Sequence, residues 1–325
     1  MAGVFPGFPA AFDHPCRVDV GLDEGARRLL QNCLSPASWR AYAAGQVNYR
    51  RFCERFGLLA VPASRDTIVY YLADQKRSGV AVGTARQRLA AVRHLHLQCG
   101  ASVTEINSPL VRAALRGYQA RGGSITRRSI RPGITVEQLR TLKTALGKST
   151  ESPFNQRCLW AACAVAFYGG LRASEYISDQ GRGLRRKDIK FASDDSECVL
   201  ELKIQKNHQF GAPMSVYLPN TGTSTCPVRA LRKFCGLRDV GAPDGDALFR
   251  TESGAPLSRR QLSAVLKTVL GEGYSTHSLR IGLATGAAAE GVPDTIIQQW
   301  EGGAARHIRA MFGDIAGRLA RHSVR

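Results

Sequence analysis

A mainly α-helical chain in two domains, with one small antiparallel β-sheet in the second, is the fold class the sequence predicts. Three observations carry that expectation. At 325 residues the chain exceeds the usual reach of one hydrophobic core. Apolar residues recur at helical spacing through most of the text after Ser35. Only residues 188–218 change to an alternating pattern. Composition then bounds function. The 45 Lys plus Arg against 26 Asp plus Glu give a net charge of +19, dominated by arginine, whose planar fork suits phosphate. A polyanion is the expected partner class. No stretch approaches the roughly 18–20 apolar residues of a membrane span, and no basic-then-apolar leader opens the chain. An intracellular protein is expected, nuclear if its host is a eukaryote and otherwise cytoplasmic. The nine cysteines are odd in number, scattered and never spaced C-x-x-C, so neither a disulfide framework nor a metal site is indicated, and no cofactor is expected.

Residues 1–33 hold Pro6, Pro9 and Pro15 among small residues and read as an arm with one short helix near Glu24 to Cys33. Residues 34–120 read as four helices without a strand. The first carries Trp39, Tyr42, Val47, Phe52 and Phe56 and breaks at Gly57 and Pro62. Ser64 can cap the second, with Ile68, Tyr71 and Leu72. Thr84 can cap the third, with Leu89, Val92 and Leu95 on one side and Arg86, Arg88 and Arg93 on the others. Pro109 to Tyr118 makes the fourth. Between Glu105 and Glu137 no acidic residue occurs, while arginines including Arg127 and Arg128 gather around Gly122, Gly123 and Pro132, so 121–134 reads as a basic linker. Such a run is either a solvated connector or a track for a phosphate backbone.

The second domain, residues 135–325, opens with a helix capped by Thr135, where Gln138 suits a capping box. The apolar run Leu159 to Tyr168 reads as a buried helix ending at Gly169-Gly170, with Cys158 and Cys163 buried in it. Two strands around a turn are expected in 188–218. Helices return at Val228 to Cys235, Ser258 to Leu270, His277 to Glu290 and Pro293 to Gln299.

Three short pieces in this domain matter jointly: Gly170-Leu171-Arg172-Ala173-Ser174-Glu175, then Lys206 in a turn, then His277-Ser278-Leu279-Arg280 opening a helix. Each alone is commonplace, since turn lysines are usually solvated and H-x-x-R recurs by chance. Brought together, two arginines, a lysine and a histidine form a positive pocket able to hold a phosphodiester and stabilise the added charge of a pentacoordinate transition state.

These motifs resemble those of the tyrosine recombinases, or phage integrase family, and within it the recombinases of DIRS-like retroelements. The likeness runs from Ser35 to Gln299. Gly83 to Arg93 resembles part of a SAM-like helical core-binding domain, Gly169 to Glu175 the first arginine box, Lys206 with Gly211 the hairpin lysine, and His277 to Gly282 through Gly291 to Asp294 the second arginine box. The resemblance implies a two-domain DNA clamp of mobile-element origin, and breakage of a DNA strand by a tyrosine through a 3′-phosphotyrosyl bond. Arg172 and Arg280 would then bind the non-bridging oxygens, Lys206 would protonate the leaving 5′-oxygen, His277 would assist proton transfer and Glu175 would orient the pocket. An ion pair at a helix start is an equally good reading of Glu175. Arg86, Arg88, Arg93, Arg127 and Arg128 would contact double-stranded DNA, on which the family assembles as a tetramer.

The pattern breaks at the nucleophile. The last tyrosine is Tyr274, before His277, and alignment without gaps puts Met311, beside Phe312, where the family has its reactive tyrosine. Neither side chain can attack phosphorus. Restoring a single C after the codon of Gln299 lets the degenerate codons from Trp300 onward read Leu-Gly-Arg-Trp-Arg-Ser-Ala-Ala-Tyr-Thr-Arg-Tyr, the family's text. Residues 300–325 are therefore expected to be an out-of-frame tail. Two readings follow: a recombinase without its nucleophile, or a non-catalytic DNA-binding protein derived from a mobile element.

Overall fold

A computed structural model of the protein describes residues 20–120, 131–177, 183–202, 214–239, 243 and 245–302. Two compact units divide the chain, residues 1–125 and 126–325. Unit 1 holds α1 (Val20–Gln31), α2 (Pro36–Phe56), α3 (Arg65–Arg77), α4 (Val82–Gln98) and α5 (Pro109–Ala120). Caps set several of these starts. Ser35 Oγ accepts the Ser38 N–H at 3.2 Å and Ser64 Oγ the Thr67 N–H at 3.1 Å. Thr84 is no cap, contrary to the sequence reading. The chain is already helical at Val82, with Ala81 as the N-cap residue: only Ser78 to Ala81 separate the two helices, and the Tyr118 hydroxyl pins the Val80 carbonyl between them at 2.5 Å.

The buried stripe of α2 also differs from the expected one. Trp39, Gln46, Tyr49, Phe52 and Cys53 face inward, whereas Val47 and Phe56 are about half exposed, at 47 % and 49 %. The reason is α4, which lies along α2 and receives Gln46: its Nε2 donates to Gln98 Oε1 at 2.8 Å. Leu89, Val92 and Leu95 of α4 are buried with Ile68, Tyr71 and Leu72 of α3. His96 is a core residue: its Nε2 accepts the Ala63 N–H at 2.8 Å, which leaves the proton on Nδ1 facing the Val92 carbonyl at 2.8 Å.

Unit 2 is helical around one small sheet. Its elements are α6 (Val136–Gly147), α7 (Pro153–Tyr168), the single turn α8 (Ala173–Tyr176), a 3₁₀ turn at Arg186–Asp188, β1 (Ile189–Phe191), β2 (Glu197–Leu202), β3 (Met214–Pro219), α9 (Pro227–Arg238), α10 (Arg259–Leu270), α11 (Thr276–Ala289) and α12 (Asp294–Gly302). The expected capping box opens α6, with Thr135 Oγ1 accepting from Gln138 N and Gln138 Oε1 accepting from Thr135 N. The sheet has three strands, not two, in the order β1-β2-β3, antiparallel throughout. At three residues β1 is too short to show a period. On β2, Cys198, Leu200 and Leu202 point into the core while Glu197, Val199 and Glu201 stay half-buried. Ile134, assigned to the linker from the sequence, is fully buried in the core of unit 2.

The core centres on α7, where Cys158 and every residue from Ala161 to Tyr168 are buried. Burial raises the Cys158 thiol to about 12, the Cys198 thiol to about 12 and the Cys235 thiol to about 11, and pushes up Cys53 and Cys163 as well. Acids whose folded values lie above their unfolded ones hold extra protons in the native state, so stability is lost as pH rises past about 9. Thiol titration of the native chain at pH 8 should label the exposed Cys33 and Cys99 rapidly and these five slowly. Denaturant midpoints should fall between pH 9 and the folded thiol values. Leu89→Ala should destabilise unit 1 by about 2–5 kcal/mol in urea unfolding.

Candidate functional site

The site begins where α7 stops. Tyr168 ends the helix, Gly169 caps it, and Gly170 takes the left-handed conformation at φ 57°. The Leu171 N–H donates to the Ala166 carbonyl at 3.0 Å and the Gly170 N–H to the Phe167 carbonyl at 3.1 Å, a Schellman closure that needs a residue tolerant of positive φ. A Cβ at position 170 would also stand 3.1 Å from Leu283 Cδ2 of α11. This turn delivers Arg172 to the start of α8. There Glu175 holds it twice: Oε2 accepts the Arg172 backbone N–H at 2.7 Å, and Oε1 pairs with the Arg172 Nη1 at 3.0 Å. The Glu175 side chain is buried and that of Arg172 is 25 % exposed, so the carboxylate is fixed and the guanidinium keeps an edge toward solvent.

Arg280, 108 residues later, comes to the same turn. Its Nη1 donates to the Gly170 carbonyl at 2.5 Å, two residues before Arg172. Arg280 is buried on the first turns of α11. His277 lies three residues earlier, hence on the adjoining part of the same helix face, and is exposed. The start of α11 is secured by the Ser275 N–H donating to Ser278 Oγ at 3.1 Å. Arg172, Glu175, Arg280 and the His277 helix are thus joined around one glycine carbonyl. Lys206, Met311 and Phe312 lie outside the described residues, as do Arg127 and Arg128.

Tyr274, three residues before His277, is tied elsewhere. Its hydroxyl accepts from Gln138 Nε2 at 2.5 Å, at the N-terminus of α6. Sequence reading gave neither this bond nor the Gly170 carbonyl a role. Tyr168 was likewise missed as a support: its hydroxyl bonds Thr225 Oγ1 at 2.7 Å, fixing the last residue of α7 just before the turn. Only the adjacency of Tyr168 to the Gly-Gly pair hinted at it.

In unit 1 the three arginines of α4 do not share a face. Arg86 is exposed and donates to Gln119 at 3.0 Å, and Arg93, one helical repeat on, donates to Asn107 at 2.6 Å. Arg88 lies on the other side, half-buried, donating to Gln75 of α3 at 3.3 Å. Partial burial lowers the Arg93 guanidinium from its usual value. Among the described residues no group of His, Cys, Asp or Glu has the geometry of a metal site.

A helical unit is followed by a mainly helical one built around a three-stranded antiparallel sheet, in which Arg280 is bonded to the turn that leads into Arg172. The chain belongs to the phage integrase family, whose pattern it matches over residues 133–304. An integrase/recombinase xerD homolog of Selenomonas ruminantium is 25 % identical over 287 residues, covering 84 % of this chain and 80 % of that protein. In fold the chain is similar to the XerH site-specific recombinase bound to palindromic difH substrate in a post-cleavage complex, with a TM-score of 0.57 at 14 % identity over 88 % of this chain and 77 % of that one. It is also similar to the Tn1549 transposon integrase in complex with transposon right end DNA, with a TM-score of 0.58 at 14 % identity over 91 % and 93 %. A lambda integrase dimer bound to a COC′ core site gives 0.53 at 16 % identity over 91 % and 77 %.

If Glu175 fixes Arg172, Glu175→Gln should keep the backbone bond but weaken the ionic one. It should cost about 1–3 kcal/mol in thermal or urea unfolding, whereas Glu175→Ala should cost more because the Arg172 N–H also loses its acceptor.

Proposed function

We propose that this protein binds double-stranded DNA as a site-specific recombinase of the integrase type that has lost its nucleophile, and that as written it captures a DNA phosphate without forming a covalent intermediate. The observation that carries this reading is the Arg280–Gly170 bond, which sets the second arginine box on the first in a chain with no tyrosine after Tyr274. Two guanidiniums so placed supply the charge for a phosphodiester's non-bridging oxygens. His277, exposed at the start of α11, is positioned to exchange a proton with solvent or substrate. Lys206 is assigned the leaving oxygen on resemblance alone. Outside the pocket, Arg86 and Arg93 on one line of α4, together with Arg127 and Arg128 beyond the described residues, add contacts to the phosphate backbone. Arg88, engaged with Gln75, serves packing as much as DNA. The likeness to XerH bound to difH substrate, to the Tn1549 integrase in complex with transposon right end DNA and to a lambda integrase dimer bound to a core site supports double-stranded DNA as the partner, with more than one copy assembling on it.

Loss of the nucleophile rests on the sequence. The family match ends at residue 304, ahead of Met311 and Phe312. A one-base deletion after the codon of Gln299 accounts for residues 300–325, and within the family the chain is read as related to the recombinases of DIRS-like elements. If the encoding DNA cannot regain the tyrosine text on adding one base, the deletion is excluded.

A nicked suicide duplex separates the outcomes. The expected result is a salt-sensitive mobility shift with no protein–DNA adduct on a denaturing gel. An adduct would show that a nucleophile is supplied from elsewhere, and no shift would leave a non-binding relic. Arg172→Ala and Arg280→Ala should each weaken binding by about 1–3 kcal/mol and reduce the slope of log K against log salt by about one. Unchanged affinity in both would falsify the pocket.

A further inference from the structure

The chain enters unit 2 through Arg131, Pro132, Gly133 and Ile134, and this short segment runs directly against the backbone of α11. The Ile134 N–H donates to the Ser278 carbonyl at 3.0 Å, inside the first turns of that helix. Gly133 and Gly282 face each other with no side chain between them. A Cβ on Gly282 would stand 2.0 Å from the Ile134 carbonyl oxygen and 2.9 Å from both Ile134 C and Ile134 N. A Cβ on Gly133 would stand 3.0 Å from Gly282 Cα and from Gly282 N, and 3.2 Å from Ile281 C. Two main chains can approach this closely only where neither residue carries a side chain. The Ile134 side chain is fully buried beside the contact, which fixes the segment in depth as well as along the helix. Ser278 and Gly282 bracket Arg280, and Ser278 follows His277. The contact therefore acts on the very turns that present the site's histidine and second arginine.

We infer that Pro132–Ile134 is a clamp that positions α11, with Gly133 and Gly282 as positioning residues that set where Arg280 meets the Gly170 carbonyl and hence the DNA phosphate. The inference rests on the phosphate-binding role given above to Arg280. In Gly282→Ala the added methyl cannot coexist with the Ile134 carbonyl, so the segment or the helix must shift by more than a few tenths of an ångström. The Arg280–Gly170 bond spans the junction of α11 with the α7 turn, so a shift of α11 acts on it directly.

The test uses the full chain and a fluorescent duplex, with affinity measured across a salt series. Gly282→Ala should lose about fivefold or more in affinity and about one unit of salt slope, as Arg280→Ala does. The double variant Arg280→Ala/Gly282→Ala should lose no more than Arg280→Ala alone, because both changes remove the same contact. Gly236→Ala on α9, whose Cβ position is open, should bind as the parent chain does. If Gly282→Ala does not fold, Gly133→Ala carries the same comparison, since its clash is milder. Parent-like affinity and slope in a folded clamp variant, or losses that add to those of Arg280→Ala, overturn the inference. Parent-like binding by Arg280→Ala itself overturns the phosphate pocket instead, so the two failures are distinguishable.

Discussion

A single charge-assisted hydrogen bond, from the Arg280 guanidinium to the Gly170 carbonyl, joins the two halves of the site. Other contacts there act within one segment or brace it from outside. Glu175 holds Arg172 within a single turn, and Ser278 caps its own helix. The bond from α11 to the end of α7 brings Arg280 to the turn that leads into Arg172. α7 ends there in a Schellman turn, and α11 packs so close that a Cβ on Gly170 would stand 3.1 Å from Leu283 Cδ2.

That geometry has supports at several depths. Beneath it, α7 is packed on all sides, with Cys163 and Tyr168 inaccessible and the Tyr168 hydroxyl held by Thr225. On the far side of α11, the backbone of Gly133 and Ile134 closes the gap. A rigid helix end, a fixed carboxylate and a clamped second helix leave little room for the two guanidiniums to wander. Preorganised charge of this kind is what stabilises an anionic transition state in enzymes that cleave phosphodiesters.

Local rules made much of the fold legible in the text. Ser64 and Thr135 announced their helices, and the Thr135/Gln138 box appears as expected, because caps are decided by neighbours within a few residues. Thr84 misled for a tertiary reason: Tyr118, from another helix, fixes Val80 and moves the start of α4. Val47 and Phe56 fit a helical apolar stripe yet face outward, since α4 rather than periodicity chose the buried side of α2. The third strand escaped notice because three residues carry no period of their own.

The sequence by itself determined which side chains are at hand: an arginine-rich chain, Arg172 and Arg280 in the stretches that carry the family resemblance, a carboxylate three residues after Arg172, and no tyrosine among residues 275–325. Residue identity and short spacing are properties of the linear text, so they can be read there. Only the tertiary structure decided that Arg280 reaches the Gly170 carbonyl, that Tyr274 is engaged by Gln138, and that Gly133 and Gly282 meet. Those contacts join residues more than a hundred positions apart. Their formation depends on how packed helices exclude volume from one another, which no local pattern encodes.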